Sequence, residues 1–125
     1  MDARRWKRLV TIAEAETAST LRGLPDDLRA KAAPVALVFE TWMSDELAGT
    51  DLDPASLGLF VGDPHNVRDS DAPMPAQIFL FLESIWDWVE GDEEAFREEV
   101  RTTYLHELGH YLGLDEDDLE HRGLD

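Results

Sequence analysis

His106-Glu107-Leu108-Gly109-His110-Tyr111-Leu112-Gly113-Leu114-Asp115-Glu116 is the stretch whose reading decides the fold. It has the form H-E-x-x-H-x-x-G-x-x-E. An α-helix turns about 100° and rises about 1.5 Å per residue, so residues four apart lie on one face, roughly 40° and 6 Å from each other. His106 and His110 can therefore aim their imidazoles at one ion. Glu107 lies about 100° round from His106, near enough to hold a water beside that ion without being placed as the histidines are. Gly113 suits the left-handed C′ position that ends a helix and turns the chain. That turn can bring Glu116 back as a third ligand. Two histidines, one carboxylate and an open fourth position are the donor set of a catalytic rather than a structural zinc. With 4 His in 125 residues, chance H-E-x-x-H matches number about 0.01, so coincidence is a poor explanation.

Working outward, Asp92 with Glu93 and Glu94 supplies the acids that favour a helix start, and the helix is expected to run from there to Gly113. Phe96, Val100, Tyr104, Leu108 and Tyr111 recur at three- or four-residue steps and form its apolar stripe. His106 falls about 160° from Tyr104 on that wheel, so the ligand face points into a cleft rather than into the core. Upstream, Gln77–Leu82 is the clearest strand, Leu57–Gly62 a second, and Pro34–Glu40 a third, read as buried. The glycines of Leu57–Gly62 point to a bulge or to the close approach of another backbone. Trp86 and Trp88 extend the last strand or begin the next element, and the default place for Trp42, Trp86 and Trp88 is the core. Residues 3–22 form a first helix and Asp26 to Ala32 a short second one. Thr41–Ser56 and Gly62–Pro75 read as loops, and Asp117–Arg122 as a short final helix.

Composition narrows the function. The 125 residues fit one domain, 1–125, without repeats or linkers. Net charge is −17, divided as +2 over residues 1–31 and −19 over 32–125. No basic stripe is available to neutralise phosphates, so nucleic acid is not an expected partner. No apolar run is long enough to cross a membrane. After Arg4-Arg5-Trp6-Lys7-Arg8 the apolar run Leu9–Ile12 is too short for a signal core, which leads to an expected cytoplasmic location. The Arg-rich start beside Trp6 is read as a solvated face rather than a membrane-surface helix. Absence of cysteine excludes disulfides and thiolate metal sites.

With these elements in order, the chain resembles the zincin metallopeptidases, and more narrowly the small bacterial mini-zincins. The resemblance rests mainly on residues 97–124 and extends to the strand Ala76–Leu82 and the Gly-Leu-Asp-Glu-Asp segment after the motif. It implies an α+β minimal domain, with a small mixed or antiparallel sheet packed against an N-terminal helix and the long motif helix. It also implies a Zn2+ cofactor held by His106 and His110, with Glu107 as the catalytic base. Glu116 stands where the family pattern has an acidic ligand, and Asp115, Glu120 and His121 are alternatives. The implied activity is hydrolysis of peptide bonds in a peptide or protein substrate by a zinc-activated water. An antiparallel edge strand, Ala76–Leu82 or its neighbour, would hold the substrate by strand addition. Two departures stand out. Met1, Met43 and Met74 all precede the motif, so it is followed by no Met-turn, and residues 112–125 contain no aromatic to support the site. No oxyanion stabiliser is evident: Tyr104 and Tyr111 fall near the apolar stripe, and His65 reads as an exposed loop histidine. The alternative reading is therefore a non-catalytic zincin-like domain that binds metal or another protein. Monomer and homodimer are both compatible with the sequence.

Overall fold

Asp92 caps one of the two 20-residue helices. Its side chain accepts a hydrogen bond from the Ala95 amide at 3.1 Å, and Glu93 and Glu94 follow in the first turn, where acids complement the helix dipole. The computed structural model describes residues 3–42, 57–62 and 76–113. Within them the elements are α1 (Ala3–Arg22), α2 (Asp26–Ala32), β1 (Ala36–Glu40), β2 (Gly58–Val61), β3 (Gln77–Phe81), α3 (Leu82–Trp88) and α4 (Glu93–Leu112). The result is a small α+β domain in which helices pack on a three-stranded mixed sheet.

The sheet order is β1-β3-β2. β1 runs parallel to β3, whereas β2 runs antiparallel to it. The register aligns Leu37, Ile78 and Phe60 in one row and Phe39, Leu80 and Gly58 in the next, so these six residues share a face. That face meets α4: Ile78 and Leu80 are buried in one cluster with Phe96, Val100, Tyr104 and Leu108. On the other side of α4 lies α1, which is 20 residues long and buries Leu9, Ile12, Ala13 and Thr17. Thr17 satisfies its buried hydroxyl by donating to the Ala13 carbonyl at 2.8 Å. α4 is thus held between α1 and the sheet.

Several expectations needed correction. The strand expected over Pro34–Glu40 is present but not buried: β1 is an edge strand whose residues are only half-buried or exposed. Ala76–Leu82 contains the central strand β3, with both edges already paired, so among the described residues the outer strands of the sheet are its neighbours β1 and β2. Of the two readings of Trp86 and Trp88, the next element holds: both lie in α3, which starts at Leu82 directly after β3. Trp86 packs edge-on against Phe96 with ring centroids 5.7 Å apart. Trp42 and Trp88, by contrast, are 53% and 64% exposed rather than core. The readings of most of Thr41–Ser56 and Gly62–Pro75, and of Asp117–Arg122, lie outside the described residues. No described helix is long and apolar enough to cross a membrane.

Candidate metal centre

Packing on two sides leaves α4 one narrow exposed strip. Glu94, Glu98, Thr102, His106 and His110, each four residues on, are all exposed, whereas the residues flanking the two histidines from Thr103 to Gly109 are buried. Four-residue spacing puts the imidazoles one above the other on this strip. Their Nε2 atoms lie 3.2 Å apart, with ring planes inclined at 73°. Two nitrogens bound at about 2.0–2.1 Å to one tetrahedral zinc would stand about 3.3–3.4 Å apart. The observed separation matches that edge of a coordination tetrahedron. It is also a hydrogen-bond distance, with donor and acceptor set by the tautomers. The helix ends where the motif requires, at Gly113, whose φ of 73° is left-handed and whose amide reaches back to the Gly109 and His110 carbonyls.

Glu107 completes the group. One ligand atom from each of His106, Glu107 and His110 falls within 4.8 Å of the others. Unlike the histidines, Glu107 is only 7% exposed. It is pressed against the sheet at Gly58, the first residue of β2. A Cβ built on Gly58 would stand 2.6 Å from Thr103 Cγ2, 3.2 Å from the Phe79 carbonyl oxygen and 3.3 Å from Glu107 Cγ. Only glycine lets β2 approach the helix this closely. Glu107 Oε2 is buried and has no hydrogen-bond partner among the described residues. Burial raises the Glu107 carboxyl above its ordinary pKa, while the neighbouring His106 charge pulls in the opposite direction. An orphaned buried carboxylate oxygen beside two converging imidazoles is a donor set that suits a divalent cation of the zinc type.

A family model described as zincin-like metallopeptidase matches residues 32–124. The chain belongs to the zincin-like metallopeptidases. Comparison with curated proteins finds no match. Like the family as a whole, this zincin-like chain is thereby tied to a metal, typically zinc, and to peptide or protein substrates. The match starts at residue 32 and so leaves out α1, which this zincin-like domain packs against α4.

The remaining candidates divide cleanly. Tyr104 is buried in the core, where burial raises its hydroxyl pKa, and Tyr111 sets its ring 5.8 Å from that of Phe60. His65, Asp115, Glu116, Glu120 and His121 lie outside the described residues. Two neighbours of the site were not singled out from sequence: Gly58 and Thr103. The glycines of β2 signal the close approach of another backbone, and at Gly58 the Phe79 carbonyl oxygen makes it, joined by the side chains of Thr103 and Glu107 on α4.

Proposed function

We propose that this chain is a zinc-dependent peptidase, with His106 and His110 as metal ligands, Glu116 as the third ligand and Glu107 as the general base. A zinc ion held there would act as a Lewis acid, lowering the pKa of water from 15.7 towards about 7 and polarising the scissile carbonyl. Glu107 would take the proton of the attacking water and pass it to the departing amine. Its position supports this role. Gly58 packs against it and the residue is buried, so the carboxylate is held in place beside the histidines instead of swinging in solvent.

Substrate would bind along β2. The Phe81 amide donates to the Leu57 carbonyl at 3.0 Å, which makes Leu57–Phe81 a hydrogen-bonded pair of the antiparallel ladder. Such pairs alternate with non-bonded ones, so the backbone groups of Phe60 point away from β3. An extended peptide can pair there, two residues along the strand from Gly58, which lies against the Glu107 side chain.

The observation that carries the proposal is the 3.2 Å convergence of His106 and His110 with Glu107 buried beside them. Incubation of the zinc-loaded chain with a peptide library, beside a Glu107→Gln control, tests it: cleavage by the parent alone is expected. A second reading, a metal-holding or protein-binding domain without turnover, is favoured by the burial of Tyr104, which removes that hydroxyl from the oxyanion role. Absence of cleavage from a zinc-loaded chain would select it.

A further inference from the structure

Four of the chain's eleven cations gather in one place. Arg4, Lys7 and Arg8 of α1 and Arg97 of α4 line a cavity of about 570 Å3 on the seam between these helices, together with Thr11, Ile12 and Ala15. Among the described residues, no carboxylate lines it. The arrangement runs against two local trends. Overall the chain carries a net charge of −17. In addition, the first turn of α1 has no acid, although helix dipoles favour acids there and disfavour cations. Stability of α1 does not account for so many cations at this end.

Glu93, at the rim, shows what the groove does with an anion. Its carboxylate accepts from Arg8 Nη2 at 2.6 Å and from Arg97 Nη2 at 3.0 Å, and these two guanidiniums hold its pKa below the ordinary value. Each guanidinium has five N–H donors in a planar fork that matches carboxylates, so one acceptor does not exhaust either. Ile12, which is buried, and Ala15, which is exposed, add apolar surface to the lining, suited to the methylenes of a side chain. The volume falls within the roughly 300–1,000 Å3 typical of ligand sites. A concave groove also fits a chain segment better than it fits the flat surface of a membrane.

We infer that this groove docks a carboxylate-rich peptide segment, held by Arg4, Lys7, Arg8 and Arg97 beside the apolar surface of Ile12 and Ala15. Arg97 precedes His106 by nine residues, about 13.5 Å along α4 and half a turn round, so the groove opens away from the histidine pair. Its three α1 cations also lie outside residues 32–124, the part matched to the family. The inference does not rest on peptidase activity.

The test is titration of the full chain with fluorescent hexaglutamate, at low salt and in chelator, so that the histidine pair contributes no metal. General electrostatics repel an acidic peptide from a chain of this charge, so binding would report a local basic site. Saturable binding is expected, weakened about tenfold or more by Arg4→Glu with Lys7→Glu and by added salt, as for rim charges that steer a partner. Lys7→Glu alone, at an exposed position, should weaken it in the same direction and serves if the double variant does not fold. No saturable binding, or binding indifferent to these substitutions, would overturn the inference. So would binding of tripolyphosphate or of anionic vesicles without binding of hexaglutamate.

Discussion

Gly58 lacks a side chain at the point where β2 lies against Glu107: a methyl group there would stand 3.3 Å from Glu107 Cγ and 2.6 Å from Thr103 Cγ2. The edge strand and the helix that carries the histidines are therefore set by one residue at their point of contact. Alanine at position 58 must push β2 away from α4 or displace both side chains. Gly58→Ala should destabilise the chain by about 1–3 kcal/mol, the usual cost of overpacking, measured by urea unfolding. Thr103→Ser removes the closest atom, so the double variant should recover part of the loss. An additive double variant would contradict the contact.

Glu107→Gln keeps the shape of the side chain and removes its basicity. Cleavage should fall by about 10²–10⁴-fold, the contribution usual for a positioned acid or base, while zinc content stays the same. Parallel assays of hydrolysis and bound metal on one preparation check this. Retained hydrolysis would remove Glu107 from the role of base.

Phe96 is fully buried and packs against Trp86 at the start of α4. Phe96→Ala should cost about 3–5 kcal/mol, because the space between α3 and α4 cannot fully collapse. Thermal unfolding followed by circular dichroism reads this directly, and a change below 1 kcal/mol would not fit the packing described.

Glu93 is a carboxylate whose folded-state pKa is lowered, first by the hydrogen bond from Arg8 and then by that from Arg97. A group of this kind contributes its stability above its unfolded pKa and loses it as pH falls through the lower folded value. The stability difference between parent and Glu93→Gln should therefore be constant above the ordinary carboxylate range and shrink below it. Both chains unfolded by urea at a series of pH values from neutral to acid would show the trend. A difference that grew on acidification would reverse the sign and exclude the Arg8–Glu93–Arg97 arrangement.

How much of this was legible in the sequence depended on how local the cause was. The bounds of α4 could be read because Asp92, Glu93, Glu94 and Gly113 act within a turn of their own positions. The three strands were found within about two residues, since each is a short apolar run between turn residues. Their order was not, because pairing β1 and β2 with the later β3 is decided by contacts far apart in the chain. α3 was missed for a related reason. Seven residues are too few to fix a period, no side chain caps the helix at Phe81, and the run from Ile78 continues unbroken through Leu82. At its start the Glu83 amide donates to the Thr41 carbonyl, a contact from the residue after β1 that no local reading supplies. Glu83 itself, 2% exposed and paired with Arg5 at 3.0 Å, joins α3 to α1 across 78 residues of sequence. At the site, the helical wheel takes His106 and His110 off the core stripe, and both are exposed. The burial of Glu107 could not be seen there, because it depends on Gly58 arriving from another element.

The central claim is that His106 and His110 share one zinc ion, and metal content tests it most directly. Protein purified without chelator, and a His106→Ala variant beside it, would be analysed by elemental mass spectrometry. About one zinc per parent chain and none in the variant is the expected result for a single site built on that pair. No zinc in the parent even after the metal is supplied, or equal zinc in the variant, would contradict it.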